Sequence, residues 1–288
     1  MSDKKKVFIT GASAGFGFDA AKALAAEGHT VYATMRDPSG RNKEKASALS
    51  AFARKGGYTI RVLDVDVTDD ASVRNGVKTA IESGGVDVVI NNAGFGSWGI
   101  DEGFTVEQAQ QLFDVNFFGV LRVNRAVVPH FRDAGEGKII YISSGLGRIV
   151  FPFMAVYGAS KFAIEGFAES TNIELSPLGI ETTIIQPGAY GTTFLANAMQ
   201  PASDVSGIYG PTATMFEQFG GGFEERAKAG ELGNPEEVVT ALVEEVEREK
   251  GRSPLRRCIG QDVQEPVSAI NATCDQVQDH LLSAFGLK

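Results

Sequence analysis

The chain alternates short apolar runs of strand length with amphipathic stretches of helical period, and this rhythm narrows its possible folds more than any other feature. The first run, residues 7–10, leads into Gly11-Ala12-Ser13-Ala14-Gly15-Phe16-Gly17 and an Ala-rich helix over 16–27 that Gly28 stops. Six further strands are predicted at 30–35, 59–63, 86–90, 138–142, 181–185 and 256–259. Helices are predicted between them at 41–54, 69–82, 106–132 with a break near Asn116, 154–175 and 235–249. A terminal amphipathic helix carries Val277, Leu281, Leu282 and Phe285. The 86–90 run is apolar after Asp87, as expected of a strand buried on both faces. Strand–helix alternation of this kind predicts an α/β fold: a doubly wound parallel sheet of about seven strands with helices on both faces. No repeat or long linker divides the chain, so residues 1–288 read as one domain. Within it, 193–233 reads as an irregular, Gly-rich lid over a substrate site, with Gly220, Gly221 and Gly222 consecutive.

Composition excludes several function classes. The 288 residues are 43% hydrophobic and 22% charged, ample for a buried core. A net charge of -9 argues against nucleic acid as a partner, because phosphate binding needs a basic face. No apolar run approaches the length of a membrane span, and Lys4, Lys5 and Lys6 read as a solvated terminus rather than a targeting signal. A cytoplasmic location is the expectation. Cys258 and Cys274 read as ordinary thiols, and the scattered His29, His130 and His280 offer no metal-binding spacing.

Two motifs carry chemistry. Glycine in the first strand-to-helix turn removes the Cβ atoms that would keep a pyrophosphate from the helix N-terminus, although a ligand-free turn would read the same locally. Tyr157 and Lys161 stand four apart on one helical face, with Ser144 thirteen residues before the tyrosine. A free phenol titrates near pH ~10, and a neighbouring cation favours phenolate, which makes tyrosine usable as a general acid or base. Ser144 is placed to hydrogen-bond the same substrate oxygen, with Ser143 as its competitor.

Thr10–Gly17 (10–17), Asn91-Asn92-Ala93-Gly94, Asn116, Ser144, Tyr157 with Lys161, and Pro187-Gly188 leading to Thr192 occur in one order over residues 7–192. In this the chain resembles the short-chain dehydrogenase/reductases, single-domain Rossmann-fold oxidoreductases that use a nicotinamide cofactor. The resemblance implies a catalytic set of Asn116, Ser144, Tyr157 and Lys161. It implies cofactor contacts from Gly11, Ser13, Gly15, Phe16, Gly17, Asp66, Val67, Asn92, Ala93, Gly94, Tyr157, Lys161, Pro187, Gly188 and Thr192. Hydride would pass between nicotinamide and a ketone, aldehyde or secondary alcohol, with Tyr157 moving the proton. Asn116 would hold a water connecting Lys161 to solvent, and Lys161 would bind the nicotinamide ribose.

Arg36, just after the second strand, suits the 2′-phosphate of NADP, with Ser13 as an added donor; Asp37 is the opposing signal, since an acid there would suit the ribose of NAD. NADP is the preferred expectation, as reductant of a small, apolar carbonyl or oxidant of the corresponding alcohol. Phe95, Trp98, Leu146, Phe153 and Tyr190 are expected to line that substrate's pocket. Arg148 stands near the same mouth, as an exposed charge or a partner for an anionic substrate. The helices near 106–132 and 154–176 are the expected faces of a homodimer or homotetramer. Two other readings are a nucleotide-sensing protein without turnover and a sugar-nucleotide epimerase or dehydratase; the glycine spacing disfavours the latter.

Overall fold

The computed structural model of the chain describes residues 3–191 and 194–287. Its centre is a seven-stranded parallel sheet in the order β3-β2-β1-β4-β5-β6-β7, formed by Lys6–Ile9 (β1), Thr30–Met35 (β2), Thr59–Asp64 (β3), Val88–Asn91 (β4), Gly137–Ile142 (β5), Ile180–Pro187 (β6) and Arg256–Ile259 (β7). The helices are Gly15–Ala26 (α1), Lys43–Gly56 (α2), Asp70–Glu82 (α3), Val106–Phe113 (α4), Gly119–Ala134 (α5), Ala155–Leu175 (α6), Pro211–Lys228 (α7), Glu236–Glu247 (α8) and Gln264–Ala284 (α9).

Alternation along the strands builds two cores. Val7, Ile9, Val31, Ala33, Val88, Ile90, Ile140 and Ile185 face one side, where Ala20 and Leu24 of α1, Leu49 of α2 and Val238 and Leu242 of α8 cover them. Phe8, Tyr32, Val89, Ile139, Tyr141 and Ile184 face the other, under Val73 and Val77 of α3, Val123 and Val127 of α5 and Ile164 and Ala168 of α6. Because the chain runs outward from β1 through β2 to β3 and then returns to β4 on the other flank, the connections that leave the carboxyl ends of β1 and β4 run to opposite sides. Such a switch point is where open α/β sheets bind ligands.

The expected break near Asn116 is a π turn over Asp114–Phe118. Arg122 clamps it: its guanidinium lies 2.7 Å from the Asp114 carboxylate and donates to the carbonyls of Asp114 and Val67. One expectation requires correction. The segment after β6 is not irregular throughout, since α7 runs for 18 residues and contains Gly220, Gly221 and Gly222. Glycine disfavours helix by about 1 kcal/mol per residue. Tertiary packing compensates: Phe216 and Phe219 of α7 stack on Trp98, at 5.3 and 5.4 Å between ring centroids.

Candidate active site

The turn between β1 and α1 is braced from β4. The Thr10 hydroxyl accepts from the N–H groups of Asn92 and Ala93, both at 3.0 Å, and the Asn92 amide donates to the carbonyls of Thr10 and Gly11. Asn92 and Ala93 therefore fix the turn's shape. Gly11, at φ +67°, lies so close to Ala93 that a Cβ would stand 2.8 Å from that residue's Cα. Gly15, at φ +53°, faces open space, and no side chain caps the first turn of α1 behind it. The result is a glycine cradle with free backbone N–H groups at a helix N-terminus, which fits an anionic phosphate group. Ser13 and Phe16 are part of this cradle, and the Phe16 ring meets Tyr190 edge-on at 5.8 Å. Gly17 packs against the Asn92 amide.

At the end of β2 the two charged residues part company. Asp37, at φ +46°, folds its carboxylate back onto the N–H groups of Gly40 and Arg41, at 3.0 and 2.7 Å, while its own N–H donates to Asp64. Arg36 is exposed and, among the described residues, has no ion-pair partner. After β3, Asp66 holds a tight turn by accepting from the Thr68 N–H and hydroxyl, and Val67 is buried against Gly119.

The candidate reacting residues meet at the carboxyl ends of β4 and β5. Helix α6 has no side-chain cap of its own; Ser97, from the loop after β4, accepts the Tyr157 N–H at 3.1 Å and supplies one. Ser144 stands beside the Tyr157 phenol, its hydroxyl accepting the Leu146 N–H at 3.1 Å, and the Lys161 ammonium lies 5.6 Å from the tyrosine ring centroid. Lys161 donates to the carbonyl of Ile142 at the end of β5, 2.8 Å away. Ser143 turns the other way, toward Glu165. Burial pushes the Tyr157 phenol up to about 12, opposed by the neighbouring Ser144 hydroxyl. Burial also lowers Lys161 to about 8, opposed by the charge of Glu165. Desolvation thus dominates at both groups, and the phenol moves in the opposite direction from the one that spacing alone suggests.

Asn116 is fully buried, and its amide is bound on both sides. It accepts from the Phe95 N–H at 3.0 Å and donates to the Phe95 carbonyl at 2.9 Å and to Ser160 at 3.1 Å. Its side chain pins the loop after β4 to the π turn and to α6. Gly94 lies between Asn116 and Lys161. Gly188 follows β6 and is held by the Ile259 carbonyl, with Pro187 paired to Ile259 across the sheet. Thr192, expected beside the nicotinamide, lies outside the described residues, as does Thr193 at the start of the lid segment.

Around Tyr157 the surface is apolar. Phe194 meets its ring at 5.2 Å, Leu112 and Met154 pack with it, and Phe95, Trp98 and Leu146 complete the cluster. Beyond Trp98 the aromatic wall continues through Phe153, Phe216 and Phe219. Two expected pocket residues are placed elsewhere. Tyr190 joins the sheet core and donates to Glu237, and Arg148 is buried in ion pairs with Glu165 and Glu169 rather than exposed at the mouth.

Residues 5–203 match the family model described as short chain dehydrogenase. The chain belongs to the short-chain dehydrogenases. It is 43% identical to the 3-ketodihydrosphingosine reductase of Bacteroides thetaiotaomicron over 66% of either chain, so just under two thirds of that relative is spanned. With Retinol dehydrogenase 8 of Homo sapiens it shares 35% identity over 88% of this chain and 80% of the relative. A short-chain dehydrogenase from Streptomyces avermitilis superposes with a TM-score of 0.76 at 29% identity, covering 97% of this chain and 96% of the other. The protein is accordingly an oxidoreductase of this family. In this short-chain dehydrogenase, sequence reasoning missed Ser97 and Glu165. Ser97 had no local signal, since it acts across 60 residues of sequence. Glu165 had one: it lies four residues after Lys161, on the same helical face.

Proposed function

We propose that the protein is an NADP-dependent carbonyl reductase or alcohol dehydrogenase for an apolar ketone, aldehyde or secondary alcohol. The observation that carries this reading is the placing of Ser144 and Lys161 beside the Tyr157 phenol, at the switch-point end of the sheet and under an aromatic wall. The glycine cradle over Gly11, Ser13, Gly15, Phe16 and Gly17 would take the pyrophosphate. Asp66 and Val67 would meet the adenine; Asn92, Ala93, Gly94, Pro187, Gly188 and Thr192 would hold the nicotinamide half. The free guanidinium of Arg36, beside an Asp37 whose carboxylate is already engaged, supports NADP over NAD.

The nicotinamide, when bound, supplies or accepts the hydride at the carbonyl carbon. Tyr157 gives its phenolic proton to the alkoxide oxygen, and Ser144 orients that oxygen by hydrogen bonding. A phenol raised to about 12 is protonated at neutral pH, so the populated form is the acid needed for reduction. Lys161 provides the positive charge beside the phenol and binds ribose hydroxyls, while Asn116 keeps the surrounding backbone in register. The aromatic wall excludes water and favours an apolar substrate, in keeping with the lipid-like substrates that the two curated relatives are named for. Phe118 and Phe162, 45% and 42% exposed on the π turn and α6, support pairing of copies through these helices.

Tyr157→Phe should remove NADPH oxidation with apolar ketones and leave NADPH binding, read by fluorescence titration, within about threefold; retained turnover rejects the mechanism. Arg36→Ala should raise the NADPH KM at least tenfold more than the NADH KM, because one charge-assisted phosphate contact is worth roughly 1.5–3 kcal/mol. Equal changes in both would reject the phosphate role.

A further inference from the structure

Glu165 is 1% exposed and touches every segment that carries the acid–base residues. It lies one turn beyond Lys161 on α6. Its carboxylate accepts from the Gln186 amide at 3.0 Å, immediately before Pro187 and Gly188 on β6. The Arg148 guanidinium, 3.6 Å away, comes from the loop that holds Ser144, and that of Arg256, 3.4 Å away, comes from β7. A buried carboxylate is costly unless its charge is matched, and no part of Glu165 reaches solvent to relieve that cost.

The two guanidiniums also serve Glu169 of α6, so Arg148 and Arg256 match the two largely buried carboxylates, Glu165 and Glu169. Asp275 of α9, which also pairs with Arg256, is about half exposed and solvated. The other groups near Glu165 are neutral: Ser143 after β5, Cys258 of β7 and Gln186. Lys161 faces Tyr157 and Glu165 on its own helix, the Ile142 carbonyl of β5, and the Asn116 amide of the π turn across Gly94. Glu165 follows Lys161 by four residues on the same helical face, so its negative charge acts on the ammonium through space rather than by a direct ion pair.

We propose that Glu165 is the positioning residue of this site: its carboxylate fixes the Lys161 turn of α6 against the Ser144 loop and the Pro187 end of β6, and sets a negative charge one helical turn from the lysine ammonium. The proposal rests on the reading of Tyr157 and Lys161 as the acid–base pair. Burial lowers Lys161 to about 8 and the Glu165 charge works against that lowering. Removing the charge therefore lowers the lysine further, so that it loses its proton at a lower pH.

The test is the pH profile of kcat for NADPH-dependent ketone reduction in the full-length protein, with Tm measured beside it. Glu165→Gln keeps the shape and the contact to Gln186 but removes the charge. Its alkaline limb should move down by about one pH unit, with an approximately five- to tenfold loss of kcat at pH 8. A lower Tm with the limb unmoved would show a merely structural residue and overturn the proposal. If Glu165→Gln does not fold, Arg256→Gln decides, since losing a guanidinium leaves more negative charge beside Lys161: the limb should move up, and an unmoved limb overturns the proposal. Tyr157→Phe is measured in parallel. Turnover retained there rejects the acid–base reading itself, whereas turnover lost there with both limbs unmoved rejects only the role of Glu165.

Discussion

Lys161 holds its ammonium 5% exposed, with the Ile142 carbonyl as its closest partner, and this arrangement has a cost that can be measured. Its folded value of about 8 lies below its ordinary value of 10.5, so between these limits the unfolded chain binds a proton that the folded chain does not. Wild-type stability from this group therefore rises with pH across that window, and the full penalty stands below pH 8. Lys161→Met should stabilise the protein at pH 7 by about 1–3 kcal/mol in urea unfolding while ending turnover. The gain should shrink as pH rises from 8 toward 10. A variant less stable than wild type at pH 7 would mean that the Ile142 hydrogen bond outweighs desolvation. At this scale the sequence was legible in placement, since Ser144 and Lys161 stand beside Tyr157 as the spacing predicts, while their chemical task is what the Tyr157→Phe measurement tests. It was silent where burial sets the outcome. Nothing in the spacing says that the phenol lies high, that Asp37 turns into its own loop, or that Arg148 is enclosed by two glutamates.

At the scale of elements, all seven strands were legible: the inner ones as apolar runs buried on both faces of the sheet, and the partly exposed edge strands β3 and β7 through their place in the strand–helix alternation. Helix α7 was not, because three consecutive glycines argue against helix locally and the packing that holds Phe216 and Phe219 comes from Trp98, Phe151 and Phe153, all remote in sequence. The break near Asn116 was visible, but its form was not: the sequence does not tell that Asn116 would satisfy both backbone groups of Phe95. Asn116→Ala leaves that N–H and carbonyl buried without partners. The expected cost is about 2–4 kcal/mol, since each unpaired buried group costs roughly 1–3 kcal/mol. Turnover should fall as well, because the loop from Phe95 to Trp98 contains the Ser97 cap of the Tyr157 turn. Urea unfolding that shows a loss under about 1 kcal/mol would indicate that water replaces the amide.

Across the whole molecule, the parallel sheet gathers the functional residues by sending each strand's carboxyl end toward one edge, so the site is assembled from segments that are remote in sequence. The last helix takes part unequally. In its first half, Val267 and Asn271 are buried, Asn271 donates to Gln186 at 2.7 Å, and Asp275 pairs with Arg256. These contacts reach Glu165 through Gln186 and Arg256, which links α9 to the catalytic helix. In its second half and just beyond its end, Val277, Leu281, Phe285 and Leu287 are 51–78% exposed. The sequence marked this helix as amphipathic through Val277, Leu281 and Phe285, yet the buried anchor lies earlier, because Asn271 is polar and carries no apolar signal. Two truncations separate the halves. Ending the chain at Gln276 keeps the Asp275 pair and should leave Tm within about 2–3 °C of wild type, with kcat unchanged. Ending it at Asp262 removes Val263, Val267, Asn271 and Asp275 together. Burying two fewer valines and leaving Gln186 and Arg256 short of partners should lower Tm by more than about 10 °C and reduce kcat at the same time. Equal losses from both truncations would place the anchor of α9 in its exposed half.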